Sequence, residues 1–356
     1  MVGAVLVKGE RIIGEGFHRR VGGPHAEIEA LRDAESKAPN EIDGSTLYVS
    51  LEPCDHHGRT PPCSQAMIDA GIRRVVACHR DPDSRVDGGG FARMRAAGLK
   101  VQYGFLVEEA VRLNWRFLTA RVLARPAVTV KWAMSLDGRI ATVDRDSQWI
   151  SSPEGRHWAL ELREQHDAIL VGSGTVLADD PRLDRRLDKS PGPITRAVLD
   201  RRLRTPPTAR LLTRGGPLLI YVHPGGDVAE RRRRLESAAT TGEADLEIVE
   251  RADVSPAAVL QDLHRRGVTS VLVEGGGEVA AAFIQADLFD RIAVCCAPLL
   301  IAGRAAPGPL GGDGFSPLAA APRLADFESS RKGPDFILQA FRKACLPALS
   351  ASVGGS

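Results

Sequence analysis

The sequence predicts an α/β protein with two domains. The chain has 356 residues, more than a single hydrophobic core normally organises. Short apolar, β-branched segments alternate with amphipathic helical segments, a pattern typical of layered α/β folds. Hydrophobic residues make up 43% of the chain and charged residues 26%, which indicates a globular protein and excludes intrinsic disorder.

Charge and cysteine content favour a cytoplasmic protein without a nucleic-acid or membrane partner. The net charge is +2, so the balance does not point to nucleic acid or an acidic membrane. We expect neither a membrane span nor a signal peptide, because no apolar run has the required length. Six cysteines are sparse in a chain of this length and typical of a reducing compartment. A metal-binding role for two of them is therefore favoured over disulfides.

The first domain is predicted over residues 1–122. Val2 to Val7 and Arg11 to Phe17 are apolar enough for two strands joined by a tight turn. Pro24 suits the first position of a helix, predicted from His25 to about Lys37. Strands and helices then alternate, with strands at 45–51, 74–78 and 101–105 and helices at about 60–70, 91–97 and 107–123.

The second domain is predicted over residues 126–345, after the Arg125-Pro126 boundary. Its predicted strands are 128–132, 168–171, 197–199, 218–222, 248–249, 270–273, 291–298 and 335–341, and its helices 153–166, 228–239, 256–266 and 278–285. Glu274-Gly275-Gly276-Gly277 either offers backbone amides to a phosphate or marks a tight turn. A Rossmann fold is not supported, because no Gly-x-Gly-x-x-Gly is present. Residues 346–356 lack periodicity and are expected to form a loose tail.

Four residues of the first domain predict a catalytic zinc site. His25 and Glu27 lie in a His-x-Glu motif, and two cysteines follow, Cys54 in a Pro-Cys motif and then Cys63. This order matches zinc deaminases, in which one His and two Cys hold the metal and the Glu, which is not a ligand, moves protons. Three protein ligands leave a position for a water, so we expect hydrolytic attack on an amidine carbon of a heterocycle.

The residues between the two cysteines leave an alternative open. His56 or His57 could supply a fourth ligand, which would make the zinc site closed and structural. Arg59 lies at the tip of the same segment and is a candidate ligand for a substrate phosphate, because its guanidinium is planar and always charged.

Five motifs along the chain carry a family resemblance. They are Pro24-His25-Ala26-Glu27, the segment Leu51 to Cys63, Ser135-Leu136-Asp137-Gly138-Arg139, Ser147-Gln148-Trp149-Ile150 and the segment Val176 to Pro181. Together they closely resemble the bifunctional deaminase/reductases of riboflavin biosynthesis. The resemblance implies a cytidine-deaminase-like N-terminal domain with one Zn²⁺ per chain and a dihydrofolate-reductase-like C-terminal domain that uses NADPH.

The resemblance also implies the substrate and its contacts. The substrate would be a phosphorylated pyrimidine, 2,5-diamino-6-(5-phosphoribosylamino)pyrimidin-4(3H)-one, first deaminated and then reduced from ribosyl to ribityl. Lys131 matches a family lysine near the reacting ribose carbon. The family's cofactor positions fall on Ala133, Trp149, Thr175, Asp179, Gly276, Gly277, Glu278, Val279, Ala280, Ala281 and Ala282. Its substrate positions fall on Ser147, Arg163, Leu183, Arg186 and Glu274.

Two further expectations follow from the resemblance. Family members usually have a helix before the strand seen here at Val2, so we expect this N-terminal helix to be missing. A chain in which only the reductase half is active, and in which zinc merely stabilises the fold, is therefore an alternative function.

A deaminase that acts on nucleic-acid bases or free nucleosides is a second alternative, which the net charge and the full second domain disfavour. A homo-oligomer is possible.

Overall fold

The chain folds as two compact units. The structure, a computed structural model, describes residues 2–19, 22–55, 61–83, 86, 88–187, 192–225 and 228–354. One unit comprises residues 1–123 with 346–356, and the other comprises residues 124–345. Within the described ranges, none of the helices combines the length and the apolar character needed to cross a bilayer.

The described part of the first unit is built on a five-stranded sheet. Its strands are β1 (Gly3–Lys8), β2 (Arg11–Phe17), β3 (Thr46–Val49), β4 (Arg74–Ala77) and β5 (Lys100–Tyr103), in the order β2-β1-β3-β4-β5. β1 runs antiparallel to β2 and β3, whereas β3, β4 and β5 are parallel. The carboxyl ends of β3 and β4 therefore meet at one edge, and the first cysteine motif follows β3 there.

Helices pack on this sheet around a buried core. They are α1 (Ala26–Lys37), α2 (Cys63–Asp69), α3 (Gly89–Ala96) and α4 (Val107–Val122). The core includes Leu6, Leu47 and Met67, each with no exposed surface. Gly16 lets α1 approach β2, because a Cβ there would lie 2.3 Å from the Ala30 nitrogen. This contact fixes the start of α1, where the His-x-Glu motif lies.

The second unit contains a nine-stranded sheet in its described residues. The strands are β6 (Ala127–Ser135), β7 (Ala168–Gly172), β8 (Thr195–Leu199), β9 (Gly216–Val222), β10 (Ala244–Glu250), β11 (Ser270–Val273), β12 (Arg291–Ala297), β13 (Leu324–Lys332) and β14 (Asp335–Arg342). Their order is β10-β9-β8-β7-β11-β6-β12-β14-β13, parallel from β10 to β12, with β14 antiparallel to both of its neighbours. Ligands of open parallel sheets bind beyond the carboxyl ends of the strands, which here include β6, β7 and β11.

Helices connect these strands. They are α5 (Pro153–Glu164), α6 (Ser173–Asp179), α7 (Val228–Thr241), α8 (Pro256–Arg265) and α9 (Gly277–Gln285). The Ser152 hydroxyl caps α5 by accepting from the Gly155 N–H, and Ser255 caps α8 in the same way. The central strand β7 is buried at every residue, as expected for a parallel strand covered on both faces.

The prediction of a loose tail over residues 346–356 is wrong. Residues Cys345–Val353 form a helix, α10, in which Leu346, Leu349 and Val353 are buried. These three residues lie at i, i+3 and i+7, so they share one helix face. The Val353 carbonyl accepts from the Arg80 N–H at 3.3 Å, which ties the helix to the first unit.

Candidate active sites

Three side chains of the first unit converge as a candidate metal centre. His25 immediately precedes α1, Cys54 follows β3 and Cys63 is the first residue of α2. The His25 Nδ1 lies 3.2 Å from the Cys63 Sγ and 3.5 Å from the Cys54 Sγ, and all three ligand atoms lie within 4.8 Å of one another. Ligand atoms around one tetrahedral zinc ion lie about 3.6–3.8 Å apart at ordinary bond lengths. The imidazole and the two thiols therefore fit a zinc ion.

Backbone contacts explain why the two cysteines meet. The Ser64 N–H donates to the Cys54 carbonyl at 3.1 Å, and the Cys63 N–H donates to the Cys54 Sγ at 3.5 Å. Beside them, the Ser64 hydroxyl donates to the Asp55 carboxylate at 2.5 Å. The first turn of α2 is thus bound to the segment that follows β3, and this arrangement holds the sulfurs side by side.

The electrostatics of the cluster favour one thiolate even before a metal binds. The hydrogen bond from the Cys63 thiol, together with that from His25, lowers the pKa of Cys54 to about 4. The same hydrogen bond between the two sulfurs raises the pKa of Cys63. The hydrogen bond to Cys54 likewise raises the pKa of His25. Zinc binds thiolates and neutral imidazole, so metal binding would release the protons that these hydrogen bonds now hold.

Glu27 lies beside the cluster and is almost completely buried. Its exposure is 3%, and burial raises the pKa of its carboxyl to about 7. The Cys54 and Cys63 side chains both interact with it electrostatically. A carboxyl whose pKa lies near neutrality can both accept and deliver a proton at physiological pH.

Some predicted residues of this half lie outside the described residues. They are Arg59, the candidate phosphate ligand, and His56 and His57, the alternative fourth ligands.

A cavity of about 720 Å³ in the second unit gathers most of the residues predicted for the reductase. Lys131, on β6, lines it together with Glu274, which directly follows β11. The predicted residues that line it are Lys131, Ala133, Ser147, Trp149, Arg163, Thr175, Asp179, Leu183, Arg186 and Glu274. The sheet thus brings together residues that are far apart in the sequence.

Two pairs of these residues bind each other. The Arg163 Nε and Nη2 donate to the two oxygens of Glu274 at 2.7 and 2.8 Å, and the Arg163 Nη1 donates to the Asp184 carbonyl at 3.1 Å. Burial alone would raise the pKa of Glu274. The charge and the hydrogen bonds of Arg163 have the larger effect, so the pKa of Glu274 is lowered. The Ser147 hydroxyl donates to Asp179 at 2.8 Å.

The glycine segment after β11 forms a cradle next to Thr175. Gly275 and Gly276 have φ of 131° and 76°, and a Cβ on Gly275 would lie 3.2 Å from the Thr175 Oγ1. α9 begins at Gly277, and Gly276 has no side chain to cap its first amides. Amides at a helix start that no side chain caps suit a phosphate, so this segment fits a dinucleotide cofactor.

The later residues predicted for this segment occupy a different environment. Ala280 and Ala281 are 3% and 4% exposed, and the Ala280 N–H donates to the Gly276 carbonyl within the helix. Their side chains belong to the core on which α9 packs. The cradle itself is made by the residues from Gly275 to the first turn of α9.

Comparisons with known proteins agree with the two sites. The model of the RibD C-terminal domain matches residues 126–338, and that of the cytidine and deoxycytidylate deaminase zinc-binding region matches residues 1–79. The riboflavin biosynthesis protein RibD of Bacillus amyloliquefaciens is 40% identical over 347 residues, which cover 96% of this chain and 90% of that protein. The chain belongs to the RibD family. RibD of Escherichia coli strain K12 is 39% identical, with 95% and 92% covered.

Solved RibD structures share the whole fold. Acinetobacter baumannii RibD superposes with a TM-score of 0.82 at 32% identity, covering 96% of this chain and 92% of that one. The Thermotoga maritima diaminohydroxyphosphoribosylaminopyrimidine deaminase/5-amino-6-(5-phosphoribosylamino)uracil reductase gives a TM-score of 0.80 at 34% identity, covering 96% and 91%. The predicted family and the two-part α/β fold are thereby confirmed.

Function and cofactors follow for this member of the RibD family. It is a bifunctional deaminase and reductase of riboflavin biosynthesis, with a zinc-binding deaminase domain and an NADPH-dependent reductase domain. The predicted enzyme class and cofactors are confirmed, and its substrate is a small pyrimidine.

Sequence reasoning missed two residues that position parts of this RibD chain. The Arg156 guanidinium lies 4.7 Å from the ring centroid of Trp149, which is 68% exposed, and donates to the Ser151 carbonyl at 2.7 Å. Arg156 thereby orients an exposed aromatic ring at the cavity. The Asp184 carboxylate lies 3.3 Å from Arg182 and 3.4 Å from Arg186. The only local signal for Asp184 is its position among arginines in the sequence.

Proposed function

We propose that both halves of this chain are active and that separate residue sets carry the two reactions. The first set would deaminate the phosphoribosylamino-diaminopyrimidinone, and the second would reduce the ribosyl group of the product to ribityl. The observation on which this depends most is the buried Glu27 carboxyl beside the His25, Cys54 and Cys63 cluster. A zinc ion that merely braced the fold would need no titratable carboxyl next to it.

In the first reaction, His25, Cys54 and Cys63 would hold the zinc ion. Bound zinc supplies a nucleophile by lowering the pKa of a water to about 7. Glu27 accepts one proton from the attacking water and delivers it to the ring nitrogen. It then moves the second proton from the added hydroxyl to the amino group, which leaves as ammonia. Burial of this carboxyl raises its pKa to about 7, so it can both accept a proton from water and donate one to the substrate near neutral pH.

In the second reaction, NADPH supplies the hydride. The Gly276 to Val279 backbone and Thr175 would hold its phosphate and ribose groups, and Trp149 and Asp179 would hold the rest of it at the cavity wall. Lys131 lies on β6 among the cavity residues, where its ammonium can direct a proton to the heteroatom on the sugar carbon that is reduced.

The remaining cavity residues would bind the substrate. Arg186 borders the cavity near Arg163, and burial together with the charge of Arg163 lowers the pKa of Arg186. A substrate phosphate would relieve this repulsion, because it brings two negative charges to the arginines. Ser147 and Leu183 would contact the sugar and pyrimidine, with Glu274 held in place by Arg163.

Paired variants test the separation of the two sites. Glu27→Gln should reduce ammonia release by a factor of about 10²–10⁴, the usual contribution of a positioned acid–base group. NADPH oxidation on supplied deaminated intermediate should be unchanged. Lys131→Met should give the opposite pattern. If Glu27→Gln abolished both reactions, or neither, the two-site assignment would fail.

A cytoplasmic location is part of the same proposal. All six cysteines are free thiols, which suits a reducing compartment. The net charge of +2 and the cavity dimensions favour a small phosphorylated substrate over nucleic acid. Fractionation of cells that produce the chain, with activity measured in each fraction, tests the location.

A further inference from the structure

A second carboxylate, Glu52, is buried two residues before the ligand Cys54. Its exposure is 3%. The Glu52 Oε2 accepts from the Asp81 N–H at 3.2 Å and from the Gly88 N–H at 3.1 Å. The Glu52 Oε1 accepts from the Phe91 N–H at 3.1 Å. A charge buried this deeply is tolerated because these three backbone donors stabilise it.

The donors belong to the loop after β4 and to the first turn of α3. α3 begins at Gly89, and its N-cap residue Gly88 provides no side-chain cap. Phe91 is the third residue of α3, and its amide is the one that a capping side chain normally satisfies. Glu52 supplies that cap from another segment, and its charge also suits the positive end of the helix dipole.

A close backbone contact lies beside this cap. Gly90 packs on the Pro53 carbonyl so tightly that a Cβ on Gly90 would lie 1.9 Å from the oxygen. The Glu52 N–H also donates to the His79 carbonyl at 3.1 Å. The Glu52-Pro53-Cys54 segment is therefore fixed against α3 by its side chain and by its backbone at once.

The other side of Cys54 is also connected to α3. Arg93 on α3 donates to the Asp55 carboxylate at 3.1 Å, and Asp55 accepts from Ser64 next to the ligand Cys63. Arg93 further donates to Gln65 on α2 at 2.5 Å. α3 therefore contacts both the segment that follows Cys54 and the first turn of α2, which carries Cys63.

We propose that Glu52 is a positioning residue for the metal centre, which fixes the Cys54 sulfur by capping α3. This inference rests on the proposed zinc-dependent function of the cluster. Glu52 does not touch the three ligand atoms, so it acts through the backbone that carries Cys54. Outer-shell partners of this kind usually change metal affinity by about 10- to 100-fold when they are replaced.

Zinc affinity of the full chain tests the proposal. Glu52→Gln keeps the side-chain volume but leaves only one acceptor oxygen, so an NH₂ group would face either the Phe91 N–H or the Asp81 and Gly88 N–H groups. We expect a zinc dissociation constant raised about 10- to 100-fold in chelator competition. We also expect the thiolate charge-transfer band of the Co²⁺-substituted chain to shift, because the sulfur geometry changes. Glu52→Asp, which keeps the charge but reaches less far, should give a smaller rise.

Two controls separate positioning from loss of stability. Met94→Ala removes buried packing from the same helix without touching the cap, and should leave zinc affinity within about threefold of the parent in a folded sample. Asp200→Asn alters a buried carboxylate in the other unit that also accepts from a backbone amide, and should not affect zinc.

The outcomes are distinguishable from failure of the proposed function. An unmodified chain that binds no zinc would overturn the zinc function itself. A parent that binds zinc, with Glu52→Gln and Glu52→Asp binding it equally well, would overturn the positioning role alone. The positioning role would also be overturned if Met94→Ala lowered zinc affinity as much as Glu52→Gln, or if the cobalt spectrum of Glu52→Gln matched that of the parent. If Glu52→Gln does not fold, zinc affinity is compared between Glu52→Asp and Met94→Ala. Weaker zinc binding in Glu52→Asp supports the positioning role, and equal binding overturns it.

Discussion

The guanidinium of Arg163 and the carboxylate of Glu274 form a buried bidentate ion pair, with N–O distances of 2.7 and 2.8 Å. Arg163 lies on α5, and Glu274 follows β11, so the pair joins a helix to the carboxyl end of a central strand. A third donor of Arg163 reaches the Asp184 carbonyl in the loop that carries Leu183 and Arg186. One side chain thereby organises three segments of the reductase cavity.

Removal of one partner of this pair should destabilise the second unit strongly. Glu274→Gln and Arg163→Met should each lower its free energy of unfolding by about 3–5 kcal/mol, because each leaves a buried group without its partner. The double variant should be more stable than either single variant, although it would lack reductase activity. Denaturant unfolding of the four proteins measures the coupling. Additive losses in the double variant would show that the two groups act independently.

Asp81 should make stability fall as the pH rises. Burial, with Asp83 and Glu52 nearby, raises the pKa of Asp81 to about 6 from 3.8. The folded state holds this proton more tightly than the unfolded state, so the contribution is complete below the unfolded pKa and is lost as the pH rises through about 6. Asp81→Asn should therefore be more stable than the parent at neutral pH, by up to about 3 kcal/mol.

Thermal unfolding of both proteins from about pH 5 to about pH 8 tests this sign. The advantage of Asp81→Asn should grow across that range. A difference that stays constant with pH, or that shrinks as the pH rises, would contradict the effect of burial on this carboxyl.

Gly276→Ala should weaken NADPH binding. The residue has φ of 76°, and a Cβ would lie 3.4 Å from the Thr175 Oγ1 in the proposed phosphate cradle. We expect a higher KM for NADPH, with about 1–2 kcal/mol of lost stability from the left-handed backbone. Gly267→Ala is the matched control, since Gly267 has φ of 85° and no atom within 4 Å of a Cβ. An equal rise in KM in the control would remove the cradle as the cause.

The C-terminal helix α10 should stabilise the first unit. Leu349 is 1% exposed, so Leu349→Ala should lower the free energy of unfolding by about 2–5 kcal/mol through lost packing. Ammonia release should lose heat stability more than NADPH oxidation does, because residues 346–356 belong to the deaminase unit. Ser352→Ala, at an exposed position of the same helix, is the control. A loss confined to the reductase would contradict this assignment.

The candidate metal ligands could be predicted from sequence because their chemistry constrains short motifs. His25 and Glu27 lie at the start of one helix, and Cys63 lies at the start of another. Each motif can be recognised within a few residues, and the fold brings the two motifs together. The α/β class could likewise be predicted from the alternation of strands and helices. These features depend on local sequence, where periodicity and capping signals are strong.

Other features depend on contacts that local sequence does not encode. Arg163 and Glu274 are 111 positions apart, and each was predicted separately as a substrate contact. β13 is mostly exposed and has no apolar alternation, so it carries no strand signal. α10 has no clear helical pattern in its sequence, because it contains small residues and Pro347. A proline is nevertheless tolerated in the first turn of a helix. Glu52 looked like part of a motif, and only the packing of α3 reveals what it binds.

X-ray absorption at the zinc edge of the loaded chain tests the central claim most directly. An open zinc centre made by His25, Cys54 and Cys63 predicts two sulfur ligands at about 2.3 Å, one imidazole and one further light atom at about 2.0–2.1 Å. Cys54→Ser and Cys63→Ser should each remove one sulfur from that shell. Two sulfurs with two imidazoles would indicate a closed structural site. That result, or a shell without sulfur, would contradict the account of the deaminase half.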